Sequence, residues 1–174
     1  MDAIKVLQVV GYKDSGKTTL IEKWIEGLSK ANYLASVVKH HGHGSPLALP
    51  PANTDSTRHF HAGALSSIAA GGGSMVLQMR GEPTFTRLLQ LASLSEPDII
   101  FVEGYKQEDE PKVVIVRWLE EWDTLRKLDN IQLVLTYDQV EIPERHIQVI
   151  LLNDEASIQE WIIAYIKGEA DEAV

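Results

Sequence analysis

Residues 9–20, Val9-Val10-Gly11-Tyr12-Lys13-Asp14-Ser15-Gly16-Lys17-Thr18-Thr19-Leu20, restrict the possible folds more than any other stretch. Ahead of them, residues 4–10 are apolar almost without interruption, the pattern of a strand buried on both faces. Behind them, Leu20, Ile21, Trp24, Ile25 and Leu28 recur at helical spacing. Between strand and helix, Gly11 to Thr18 fits G-x-x-x-x-G-K-[ST], a loop whose backbone N–H groups curl around a phosphate chain. With residues 33–39 reading as a second strand, the start of the chain is a βαβ unit and predicts an α/β sheet.

The residue types in the loop each have a chemical reason. Gly11 and Gly16 allow the backbone to turn inward, and Asp14 and Ser15 of the same loop are candidate cofactor-binding residues. The helix that follows offers unpaired N–H donors and the positive end of its dipole. Lys17 is placed to bridge the terminal phosphates, Thr18 to offer its hydroxyl to Mg²⁺, and Thr19 to touch the α-phosphate. Lys13 reads as a solvated side chain, with reach across an interface as the alternative.

Further strands are expected at 98–103, 112–118, 131–136 and 146–152, and helices at 85–94 and 155–167. Residues 119–128 fit helix or loop. Gly71-Gly72-Gly73 between two short apolar runs predicts a hairpin, and a short helix is expected near Asp55. Residues 40–54 contain three prolines and leave the carboxyl end of a strand, the ligand side of an open α/β sheet. The expectation is a P-loop NTPase fold, a mostly parallel sheet flanked by helices with an antiparallel hairpin at one edge. Residues 1–168 are expected to form a single nucleotide-binding domain, with 169–174 an acidic, frayed tail.

A net charge of −9 argues against a nucleic-acid partner, which needs a basic footprint. The absence of cysteine removes disulfides and thiolate metal sites. No signal peptide or membrane span is read, so the expected location is the cytoplasm. Positive groups gather in two islands, one at Lys39, His40, His41 and His43 and one at Lys106, Lys112 and Arg117.

Asp98 and Glu103 sit on one strand, about 16 Å apart. Parallel strands present their carboxyl ends together, so only Glu103 falls near the phosphate loop, where it is a candidate to hold Mg²⁺ or orient a water. Asp55 is the other candidate acid, as a metal or water contact or as a plain helix cap.

Several stretches in order, VVGYKDSGKTT, VVKHHGH, TDSTRHFHAGA, DIIFVEGYK and PKVVIVR, resemble the molybdopterin-guanine dinucleotide biosynthesis protein B family. The resemblance implies GTP binding with weak hydrolysis, Mg²⁺, and a homodimer. It also implies an accessory role beside the enzyme that joins GMP to molybdopterin, so that molybdopterin or its dinucleotide form is a partner. Gly11 to Thr18 become the nucleotide loop and Glu103 the acid on the metal side. Lys39, His40, Asp55 and Arg58 become cleft residues, and Lys106 joins the ligand-binding set. The extra glycine and histidine in HHGHG depart from the family pattern.

Two other classes remain open. The loop from His40 to His43 suits nickel or zinc, as in a metallochaperone GTPase. A small-molecule kinase would also use the phosphate loop. The N-K-x-D guanine signature is absent; Asp138, at the end of the 131–136 strand, either accepts from guanine N1–H and N2–H or closes a turn.

Overall fold

The computed structural model describes residues 4–41, 47, 50–144 and 146–170. Residues 171–174 of the acidic tail and His43 of the first basic island lie outside the described residues. The chain divides into two compact units, one drawn from Met1–His40 and Phe85–Val174 and the other from His41–Thr84.

The larger unit is a six-stranded sheet in the order β2-β5-β1-β6-β7-β8, with every pairing parallel. Its strands are β1 (Lys5–Gly11), β2 (Ala35–Lys39), β5 (Ile99–Glu103), β6 (Lys112–Val116), β7 (Ile131–Thr136) and β8 (Val149–Leu151). Its helices are α1 (Lys17–Lys30), α3 (Phe85–Ser93), α4 (Leu119–Leu125) and α5 (Glu155–Lys167). The period-2 alternation of the strands builds the layers. Leu7, Val9, Ile99, Phe101, Val113, Ile115, Leu133 and Leu135 face one side and form a core with Trp24 of α1 and Ile158, Trp161 and Ile162 of α5. Val10, Val114, Val116 and Val134 face the other side, against Trp122 and Leu125 of α4. Val38, Ile100 and Val102 continue that side against Leu88 and Leu89 of α3. Each such buried aliphatic side chain contributes about 1.5–3 kcal/mol, which is why these strands can be apolar throughout.

Trp24 is the keystone of the first core. Its ring stacks on Phe101 at 5.4 Å between centroids, and its indole N–H donates to the Ile158 carbonyl at 3.3 Å. The burial of Trp122 settles residues 119–125 as helix, where the local pattern left helix or loop open. The strand expected at 146–152 is limited to β8, three residues long, because a turn with Ile147 N–H bonded to the Glu144 carbonyl precedes it.

The smaller unit holds α2 (Asp55–His61), β3 (Ser66–Gly71) and β4 (Ser74–Met79). β3 and β4 form the antiparallel hairpin, as a two-stranded sheet of their own rather than an added edge of the large sheet. The Ser67 hydroxyl donates to the Ser56 carbonyl at 2.9 Å and ties α2 to the hairpin. The Arg80 guanidinium lies 4.7 Å over the Phe60 ring and donates to the Phe60 and Ala64 carbonyls. Among the described residues no helix is long and apolar enough to cross a membrane.

Candidate functional site

β1 ends in the middle of the sheet, with β5 on one side and β6 on the other. The chain leaves it through the phosphate loop into α1. Gly16 takes a left-handed conformation (φ 92°, ψ 9°) as the residue before α1, and no side chain caps the helix. The N–H groups of its first turn are therefore left for an anion. Ser15 is fully buried and its hydroxyl has no hydrogen-bond partner among the described residues. A Cβ on Gly11 would stand 2.6 Å from that hydroxyl and 3.0 Å from the Ile115 carbonyl oxygen. The loop is thus a backbone cradle that tolerates no side chain at its first position.

Gly11→Ala should cost about 1–3 kcal/mol by overpacking and weaken nucleotide binding, because the Ile115 carbonyl is backbone and cannot swing aside. Urea denaturation and calorimetry read the two effects separately; wild-type values in both would contradict the cradle geometry.

Lys17 folds back over the loop and donates to the Tyr12 carbonyl at 2.6 Å and the Gly11 carbonyl at 3.3 Å. Burial pushes the Lys17 ammonium below its ordinary pKa; Glu103 opposes this, while Lys106 and Arg117 add to it. The residue is a desolvated cation among other cations, and a phosphate chain would relieve that strain. Lys106 lies 4.7 Å over the Tyr12 ring, beside the loop. Arg117 is engaged within its own chain, ion-paired to Glu121 at 3.0 Å and donating to the Asp14 carbonyl at 3.3 Å. Lys13 and Asp14 are exposed, and Asp14 takes a positive φ of 59°.

Glu103 closes β5 with its side chain 11% exposed. The Thr18 hydroxyl lies 3.0 Å from both carboxylate oxygens and donates to them. Lys39, in register with Glu103 across the β2–β5 pair, forms an ion pair with it at 3.1 Å and donates to the Thr18 hydroxyl at 3.2 Å. A hydroxyl and a carboxylate together are the hard oxygen donors that Mg²⁺ prefers, so these two residues fit that ion. Asp98, at the far end of the strand, accepts from the Leu34 N–H at 2.6 Å and serves the entry to the sheet. The His40 N–H donates to the Glu103 carbonyl at 2.9 Å, and its ring lies 4.6 Å from that of Tyr105.

One unit therefore brings together Gly11 to Thr19, Lys39, His40, Glu103 and Lys106. Asp55 and Arg58 belong to the smaller unit, where they pair with each other at 3.3 Å on the exposed face of α2. Among the described residues no group of three His, Cys, Asp or Glu side chains stands close enough to hold a metal ion.

A cleft of about 470 Å³ runs along α1 from Gly16 to Lys30 beside Ile158 and Gln159 of α5, and Tyr137, Leu152 and Glu155 also line it. That size suits a nucleoside. Thr18, Lys39 and Glu103 do not line this cleft. Beside the cleft residue Tyr137, Asp138 accepts from the Asn153 amide at 3.1 Å.

Sequence reasoning missed Gln8. It is fully buried in β1 on the side of α3 and α4, and its amide donates to the Tyr105 carbonyl at 2.7 Å and the Gly104 carbonyl at 3.2 Å. It pins the loop that leaves Glu103. Lys112 does the same from β6, donating to the Glu108 and Glu110 carbonyls at 2.6 and 2.8 Å. The signal was a polar residue among apolar neighbours, Gln8 between Leu7 and Val9 in β1 and Lys112 at the start of β6. Gln8→Leu should cost about 1–2 kcal/mol, moderated because Gln8 Oε1 is itself buried without a partner. Faster amide hydrogen exchange at residues 104–106 is expected; unchanged exchange there would remove the pinning role.

The family model described as molybdopterin guanine dinucleotide synthesis protein B matches residues 6–137. A protein of Bacillus subtilis named a probable molybdopterin-guanine dinucleotide biosynthesis adapter protein is 30% identical over 165 residues, covering 95% of each chain. The adapter protein of that name from Haemophilus influenzae is 35% identical over 117 residues, 66% of this chain and 64% of its own. Among solved structures, a MobB homolog from Bacillus stearothermophilus superposes with a TM-score of 0.75 at 34% identity, over 94% of this chain and 98% of that one. Bacillus subtilis MobB superposes with a TM-score of 0.78 at 28% identity, over 95% and 100% of the two chains.

Proposed function

This chain belongs to the molybdopterin guanine dinucleotide synthesis protein B family, and on that footing we propose that it is a GTP-binding adapter. It acts in molybdopterin guanine dinucleotide biosynthesis. In this reading it holds GTP beside a second anionic ligand, molybdopterin or its dinucleotide form, and assists the enzyme that transfers GMP to it. The observation that carries the reading is the juxtaposition of Lys17, Thr18 and Glu103 around the uncapped start of α1.

The loop N–H groups and Lys17 bind the phosphates. Thr18 and Glu103 hold Mg²⁺, which when bound neutralises phosphate charge. Glu103 also orients the attacking water. The cleft beside Gly16 and Thr19 takes the nucleoside, with Asp138 accepting from guanine. Hydrolysis is slow because one acid serves both the hydroxyl of Thr18 and any water. His40 and Lys106 complete the proposed ligand set in the larger unit, the family pattern gives Asp55 and Arg58 of the smaller unit a role toward ligand, and the protein is a cytoplasmic homodimer.

Calorimetric titration of the full chain with GTP in Mg²⁺, and with ATP beside it, tests this. One GTP per chain with ATP weaker is expected; tighter ATP binding, or no heat from GTP, would overturn the assignment.

A further inference from the structure

The Lys39 ammonium takes its hydrogen-bond and ion-pair partners from the same two residues that are proposed to hold Mg²⁺. It is 3.1 Å from Glu103 Oε2 and 3.2 Å from Thr18 Oγ1, and those two groups are 3.0 Å from each other. The arrangement is built by backbone register, since Lys39 and Glu103 end neighbouring strands at paired positions. Glu103 is nearly buried, and a buried carboxylate without a partner is costly. Lys39 is about half exposed, so its flexible stem can swing the charge away without disturbing the core.

We propose that Lys39 is a tethered stand-in for the divalent cation, holding Thr18 and Glu103 in place and leaving them only when Mg²⁺ arrives with the nucleotide. This rests on the GTP and Mg²⁺ reading above. An ammonium and a divalent ion compete for these oxygens, because their charges repel at such short range. Two consequences have opposite signs. Lys39 opposes divalent binding to the nucleotide-free chain. It also screens Glu103 from the terminal phosphate when no metal is present, and so supports metal-free nucleotide binding. Once displaced, the ammonium is released at the carboxyl end of β2, beside the phosphate loop, where an anionic ligand can meet it.

The test uses the full chain, Lys39→Met and Lys39→Arg, with Mn²⁺ as the probe ion. Free Mn²⁺ is read by electron paramagnetic resonance without nucleotide, and GTP affinity is read by calorimetry in EDTA and in Mg²⁺. Lys39→Met should bind Mn²⁺ about 10-fold more tightly than wild type. It should lose about 10-fold in GTP affinity in EDTA and much less in Mg²⁺. Lys39→Arg, which keeps the charge, should stay near wild type in Mn²⁺ binding. An unchanged or weaker Mn²⁺ affinity for Lys39→Met would overturn the proposal. So would an equal loss of GTP affinity in the two buffers, which marks an ordinary phosphate contact. If wild type bound no GTP at all, the GTP reading would fall, while the Mn²⁺ titration would still decide the role of Lys39.

Discussion

Lys17→Ala is expected to lower GTP affinity by about 100-fold or more while leaving the chain folded. The size follows from removing a charged donor aimed at two phosphates, at about 1.5–3 kcal/mol for each charge-assisted hydrogen bond. The folding part follows from what Lys17 does in the structure. Among the described residues it bonds only the carbonyls of its own loop, and burial disfavours its charge. Removing a desolvated cation should change stability little. The same burial ties GTP affinity to pH. The free ammonium has a lowered pKa, and a bound triphosphate would raise it again. Affinity should therefore fall as the pH rises through the lowered pKa of the free Lys17 ammonium, and Lys17→Ala should lack that fall. A variant that binds GTP as wild type does, or one that unfolds, would contradict this account of the loop.

Glu103→Gln is expected to keep GTP within a few-fold in Mg²⁺ and to slow single-turnover hydrolysis by about 100-fold. Glutamine preserves the shape and can still accept from the Thr18 hydroxyl. It cannot take a proton, and it no longer offers charge to Mg²⁺ or to Lys39. Rapid mixing of the protein in excess over GTP isolates the chemical step from product release. An unchanged single-turnover rate would leave Glu103 as a structural carboxylate only.

These two residues were legible because their placement depends on local rules. The loop follows from a spacing of glycines, lysine and threonine between a strand and a helix. Glu103 follows from the rule that parallel strands end together, and its contact with Thr18 is that rule realised at 3.0 Å. Lys39 was legible only as a member of a basic island and of a family pattern. Its bridge between Thr18 and Glu103 needs β2 to lie beside β5, a pairing of strands some sixty residues apart, and no local pattern specifies it. Gln8 was overlooked, and Lys112 was read only as part of a basic island, for a related reason. Each is a polar residue inside an apolar strand, and its partners are carbonyls of the loop at 104–110. Helix α4 became certain only through the burial of Trp122, whose indole also donates to Glu144 at 2.7 Å. Asp55 and Arg58 stand apart from this set. They pair on one short helix of the smaller unit, so their roles toward nucleotide or metal rest on the family pattern.

On the proposed function, this chain holds GTP to assist another enzyme rather than to run a reaction of its own. Reconstitution tests it most directly. The full chain is added, with GTP and Mg²⁺, to molybdopterin and the enzyme that joins GMP to it, and molybdopterin guanine dinucleotide is measured over time. More product is expected with the wild-type chain than without it, and no gain with Lys17→Ala. Equal product with and without the chain, or equal stimulation by Lys17→Ala, would contradict it.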